Sequence, residues 1–153
     1  MKNLLILCCL LIVSTSVAQR NFRNMTERNG KIGIGTKAPD ELLTVKGKIH
    51  TQEVIVDLKG AVAPDYVFEN YFSGASELKP DYAFPTLHEV SSFVEQNHHL
   101  PGVPSAIELE EDGLPLKEMN LLLLQKIEEL TIYTIEQQKE IEVLKEKMAK
   151  LEE

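Results

Sequence analysis

The sequence predicts an α+β chain: a short N-terminal β segment, an irregular aromatic-rich middle with two short helices, and a long C-terminal coiled-coil helix. Three observations predict it. From Gly113 to Glu153, apolar residues recur at alternating three- and four-residue spacing. Residues 31–60 carry short alternating runs broken by Gly and by Pro39-Asp40, which is strand-and-turn patterning. Between them, two Ser/Thr-x-x-Glu signatures each open a helical pattern. The chain divides into a signal peptide (1–18), a flexible lead (19–30), a short β repeat or head (31–60), a compact middle region (61–113) and a coiled coil (114–153).

The C-terminal stretch organises the rest. With Ile127 placed at heptad position a, the a positions are Asn120, Ile127, Thr134, Ile141 and Met148. The d positions are Leu116, Leu123, Leu130, Gln137, Leu144 and Leu151. Eight of these eleven are apolar, which makes a supercoiling seam rather than an ordinary core stripe. No Gly or Pro interrupts the run after Leu116, and its surface is rich in Glu, Lys and Gln, all good helix formers. At about 1.5 Å per residue such a helix runs about 55 Å. A chain this short cannot cover that rod as a core helix, so the seam predicts association with copies of itself. Parallel pairing sets Glu140 against Lys145 and Lys147 against Glu152, opposite charges in both cases. Asn120, Thr134 and Gln137 are polar interruptions of the kind that fix register. Leu124, Ile132, Tyr133 and Ile135 widen the apolar stripe, which suits either three helices or upstream residues packed on the rod.

The N-terminus reads as an export signal. Lys2 precedes an apolar run from Leu4 to Val13, and Ser16-Val17-Ala18 is a small-residue cleavage site. The run is too short to cross a bilayer, which takes about 20 residues. Both cysteines, Cys8 and Cys9, fall within this leader, so the processed chain is expected to form no disulfide and to offer no thiol nucleophile. Charge is uneven: residues 19–60 carry a net +3 and residues 61–153 a net −12. An acidic C-terminal half argues against nucleic-acid binding.

Gln19 to Gly30 is polar, with Arg20, Arg23 and Arg28, and reads as a flexible lead. Lys31 to Thr36 alternates, Leu42 to Ile49 continues in the same style, and Glu53 to Leu58 is a further strand candidate. So few strand residues bury little surface alone; several copies sharing one core would solve that. Gly33-x-Gly35 is not followed by the helix a phosphate-binding fingerprint requires.

The stretch from Ala61 to Pro85 holds Tyr66, Phe68, Tyr71, Phe72, Tyr82 and Phe84, punctuated by Pro64, Gly74 and Pro80. These rings read as the packing of a small domain, with a carbohydrate-stacking platform as the functional alternative. Thr86-Leu87-His88-Glu89 opens a helix whose Leu87, Val90, Phe93 and Val94 share a face, closed by Asn97 to Pro101. Ser105-Ala106-Ile107-Glu108 opens a second that stops at Gly113, and Pro115 stands at the start of the rod.

No enzymatic constellation is legible. His88, His98 and His99 lie close in sequence, but adjacent histidines diverge and no metal-ligand spacing such as H-E-x-x-H accompanies them. A surface or capping role fits the pair better. None of the serines sits in a G-x-S-x-G elbow. The rod is not a DNA-binding zipper either, because Ile107 to Gly113 is acidic where a basic helix would have to run into the heptads.

Three stretches carry a family resemblance: Ile32-Gly33-Ile34-Gly35-Thr36-Lys37-Ala38-Pro39 with Leu43 to Gly47; Pro64 to Phe68 with Leu87-His88-Glu89-Val90 and His99 to Ser105; and Glu118-Met119-Asn120 through Leu123 to Thr131. Together they resemble secreted tail-fibre-like proteins of Bacteroidota. The resemblance implies a trimeric assembly whose C-terminal region is similar in position and design to the intramolecular chaperone ends of phage tail fibres. The self-cleaving serine–lysine motif around Ser-Asp-x-x-Leu-Lys is absent here, so self-processing is not carried over. The expectation is an exported, non-enzymatic structural protein without cofactor or metal, in the periplasm, at the cell surface or outside the cell. Its partner is itself, as a trimer rather than a dimer, with a cell-surface or glycan partner through the aromatic segment as the alternative function.

Overall fold

The computed structural model describes residues 24–151; the expected leader (1–18), residues 19–23 of the expected lead, Glu152 and Glu153 lie outside that range. The chain forms two compact units that divide between Val54 and Ile55, slightly before the boundary read from the sequence.

The first unit is a three-stranded sheet of β1 (Met25–Arg28), β2 (Lys31–Ile34) and β3 (Leu43–Val45), in that spatial order. β1 pairs antiparallel with β2, and β3 runs parallel to β2. β1 lies in the stretch read as a flexible lead, and that expectation is corrected. The missed signal is Asn29-Gly30: both residues have positive φ (54° and 76°), as a tight hairpin turn demands. The connection from β2 to β3 is closed by Thr44, which donates to Asp40 Oδ1 at 2.6 Å and accepts from the Asp40 and Glu41 amides at 3.1 Å. The register sets Met25, Ile34 and Val45 side by side, and beside them Glu27, Ile32 and Leu43. One face of the sheet is therefore largely apolar, and Met25, Ile32, Ile34 and Leu43 on it are exposed.

Glu53 to Leu58 is not a strand. Ile55 is 91% exposed, and among the described residues no neighbouring strand offers the ladder that β propensity needs before it becomes structure. Likewise, only Leu43–Val45 of the Leu42–Ile49 run pairs.

The second unit contains α1 (Tyr66–Ser73), α2 (Leu87–Asn97), α3 (Ala106–Asp112) and α4 (Leu116–Ala149). α1 corrects the expectation of an irregular segment over 61–85. Its Tyr66, Val67, Phe68, Tyr71 and Phe72 sit at helical spacing, and Gly74 closes it in the left-handed conformation (φ 81°). Both capping boxes form as expected: Thr86 and Glu89 exchange bonds at α2, Ser105 and Glu108 at α3. These bonds to the carboxylates hold Glu89 and Glu108 below the usual glutamate range. α4 is one unbroken helix of 34 residues, starting after Pro115, whose ring sits at the N-cap.

Candidate self-association face

α4 presents two faces with different fates. The middle region packs on one of them. Val67 and Ile132 are fully buried and Tyr66 nearly so, and Phe68, Tyr71, Tyr82 and Phe84 close around them. The rings of Tyr66 and Tyr82 lie 4.9 Å apart, and those of Phe84 and Tyr133 5.0 Å. Three phenols anchor the contact: Tyr66 donates to Gln125 Oε1 at 2.7 Å, Tyr82 to Glu129 Oε1 at 3.0 Å, and Tyr133 to the Pro85 carbonyl at 2.6 Å. Burial, then the nearby Glu129 charge, pushes the Tyr133 phenol up to about 12 and raises Tyr82 as well, so both remain donors across the ordinary pH range.

Two buried glutamates on this face contrast. Glu129 is well compensated: besides Tyr82 it accepts from Gln125 Nε2 at 2.7 Å and from Lys126 Nζ at 2.9 Å. Glu128, only 6% exposed, has an Oε2 with no hydrogen-bond partner. Burial, and secondarily the charge of Asp65, raises its carboxyl above 4.5. The folded chain then binds this proton more tightly than the unfolded chain. Through this group, stability falls as pH rises from about 4.5 through the raised folded value. Replacing the group by an apolar side chain removes an unsatisfied polar atom, a change worth about 1–3 kcal/mol. The expected result is that Glu128→Leu raises the denaturation midpoint at neutral pH and narrows its gain on acidification, followed by denaturant titration at several pH values. A lower midpoint at neutral pH would show that Glu128 is held favourably after all.

The residues buried on this face are Met119, Glu128, Glu129, Ile132 and Tyr133. They occupy heptad positions b, c, f and g. Ile132, at f, lies roughly 170° around the helix from the a/d ridge at about 100° per residue. Ile132 therefore does not widen the seam, and Tyr133, at g beside the ridge, is buried with its hydroxyl on Pro85; of the two explanations for the broad apolar stripe, upstream residues packed on the rod account for both. Leu124 and Ile135 stay exposed.

The opposite face is uncovered. All eleven a and d residues, Leu116, Asn120, Leu123, Ile127, Leu130, Thr134, Gln137, Ile141, Leu144, Met148 and Leu151, are exposed in the single chain. Ile127 is 59% exposed, Leu130 63% and Leu144 57%. From Gln137 to Leu151 every residue is exposed, so the end of the rod has no packing from its own chain. A free helical stretch of about 15 residues is marginal in water unless something packs on its apolar side.

An open apolar groove of about 390 Å³ flanks the ridge. One wall is Leu123, Ile127 and Leu130 of α4; the other is Leu87 and Val90 of α2 with Leu100 and Pro101 of the following turn. That turn is set by His98, which caps α2 in the left-handed conformation (φ 60°), while the His99 ring meets Phe93 edge-on at 5.4 Å. Among the described residues no three His, Cys, Asp or Glu side chains converge as a metal would need. None of the helices among them is long and apolar enough to cross a membrane. Of the six aromatic residues from Tyr66 to Phe84, Phe72 alone is exposed, at 68%.

No family model, curated protein or solved structure matches the chain.

Proposed function

We propose that this chain is an exported structural protein that assembles with copies of itself through a parallel coiled coil, as a trimeric tail-fibre-like or adhesin-like module. The observation that carries the reading is the division of α4. The middle region occupies its b, c, f and g positions and leaves a complete a/d ridge to water. Exposed apolar ridges of this length are rare on chains that stay single, and continuous heptad spacing fits one kind of cover, another helix. The apolar sheet face of the first unit adds support, because a small sheet gains stability when such faces share a core. Three chains rather than two follows from the resemblance to tail-fibre-like proteins, and export follows from the leader. The reading assigns no catalysis, cofactor or nucleic-acid partner. The aromatic segment serves the fold in this reading, since five of its six rings are at least partly buried and the exposed sixth, Phe72, itself meets Tyr71 edge-on at 4.9 Å.

Association ties folding to concentration. The melting temperature of the processed chain is expected to rise with protein concentration, followed by helix ellipticity. A midpoint that does not move over a hundredfold dilution would contradict self-assembly.

A further inference from the structure

Resting on the coiled-coil reading, we infer that the groove beside the ridge is part of the same interface and receives the e-position edge of a neighbouring copy's rod, led by Leu124. Leu123, Ile127 and Leu130 belong to both the groove and the ridge, so a helix seated on the ridge also enters the groove. The groove lies on the g flank, where Lys126 and Tyr133 line it. In a parallel coiled coil the g flank of one helix meets the e flank of the next. The e flank of this rod carries Leu124, 42% exposed, and the exposed Thr131.

Levels along the rod agree. Tyr133 bonds to Pro85, just before α2, and a side chain at Gly102 would lie 4.0 Å from Leu122. The outer wall therefore follows α4 from the level of Tyr133 down to that of Leu122, which spans Leu124 of an in-register neighbour. The parallel register this needs is also the one that sets Glu140 on the g flank against Lys145 on the e flank of a copy, above the groove. The interface is thus wider than the seam alone, and α2 with its turn acts as a clamp that only a copy in the right register fits.

The test uses Leu100→Lys, on the outer wall, and Leu124→Glu, on the opposite edge. Both positions are exposed in the single chain, so neither change removes its core. Each single variant is expected to weaken assembly at least tenfold in dissociation constant, measured by sedimentation across a dilution series. Mixing the two singles, or combining both changes in one chain, is expected to restore much of the loss. The mixture matters because it sets lysine against glutamate only across a junction between copies. Wild-type assembly with both singles unaffected, or with no recovery on mixing, overturns the groove while leaving the coiled coil standing. A wild-type chain that stays single at every concentration overturns both.

Discussion

Ile127→Glu combined with Leu130→Glu is expected to reduce the particle to single chains while leaving the middle region folded. Burying one such aliphatic side chain contributes about 1.5–3 kcal/mol, and the loss repeats in every copy. Four or six carboxylates would also be brought together in an apolar seam, where unpaired charge costs far more than the lost contacts. The same substitutions do little to the isolated chain, because Ile127 and Leu130 are 59% and 63% exposed there. The two effects separate cleanly in experiment. Solution mass should fall to one chain while the near-ultraviolet signal of the packed tyrosines persists. An unchanged mass would show that the ridge is not the interface.

Ile132→Ala is expected to do the reverse and strike the chain's own fold. Ile132 is fully buried beneath Val67 and Tyr66, and truncating an isoleucine in such a site costs about 2–5 kcal/mol. Two of the three phenol anchors, Tyr82 to Glu129 and Tyr133 to Pro85, flank that contact and should loosen with it. Denaturant titration at constant protein concentration reads the change. A loss below about 1 kcal/mol would mean the site collapses around the smaller residue, and that the aromatic cluster does not depend on it.

The contrast between these neighbours marks what the sequence could reveal. The ridge was legible because heptad spacing is a property of one helix, and both capping boxes were legible because each closes within four residues. For Ile132 the sequence leaves two covers open, a further helix or upstream residues, because periodicity records that a residue is apolar, not which partner covers it. Nothing local to α4 shows that Tyr66 and Val67 lie against its far side. α1 was missed for a related reason: dense aromatics between Pro64 and Gly74 resemble an irregular anchor until their spacing is counted. Asn29-Gly30 is different, since a tight-turn signal was present and only the polar surroundings of β1 obscured it. The failed strand at Glu53–Leu58 shows the remaining limit, for β propensity is fulfilled only where a second strand is at hand. The groove needs α2, its turn and α4 together, so no single stretch of sequence announces it.

The central claim is that the uncovered ridge of α4 is covered by copies of the same chain. Light scattering on a sizing column, applied to the chain from Gln19 onward, measures this directly. Three chains per particle is the predicted result; two would keep the coiled coil and remove the tail-fibre likeness. A stable single chain at all concentrations would contradict the account.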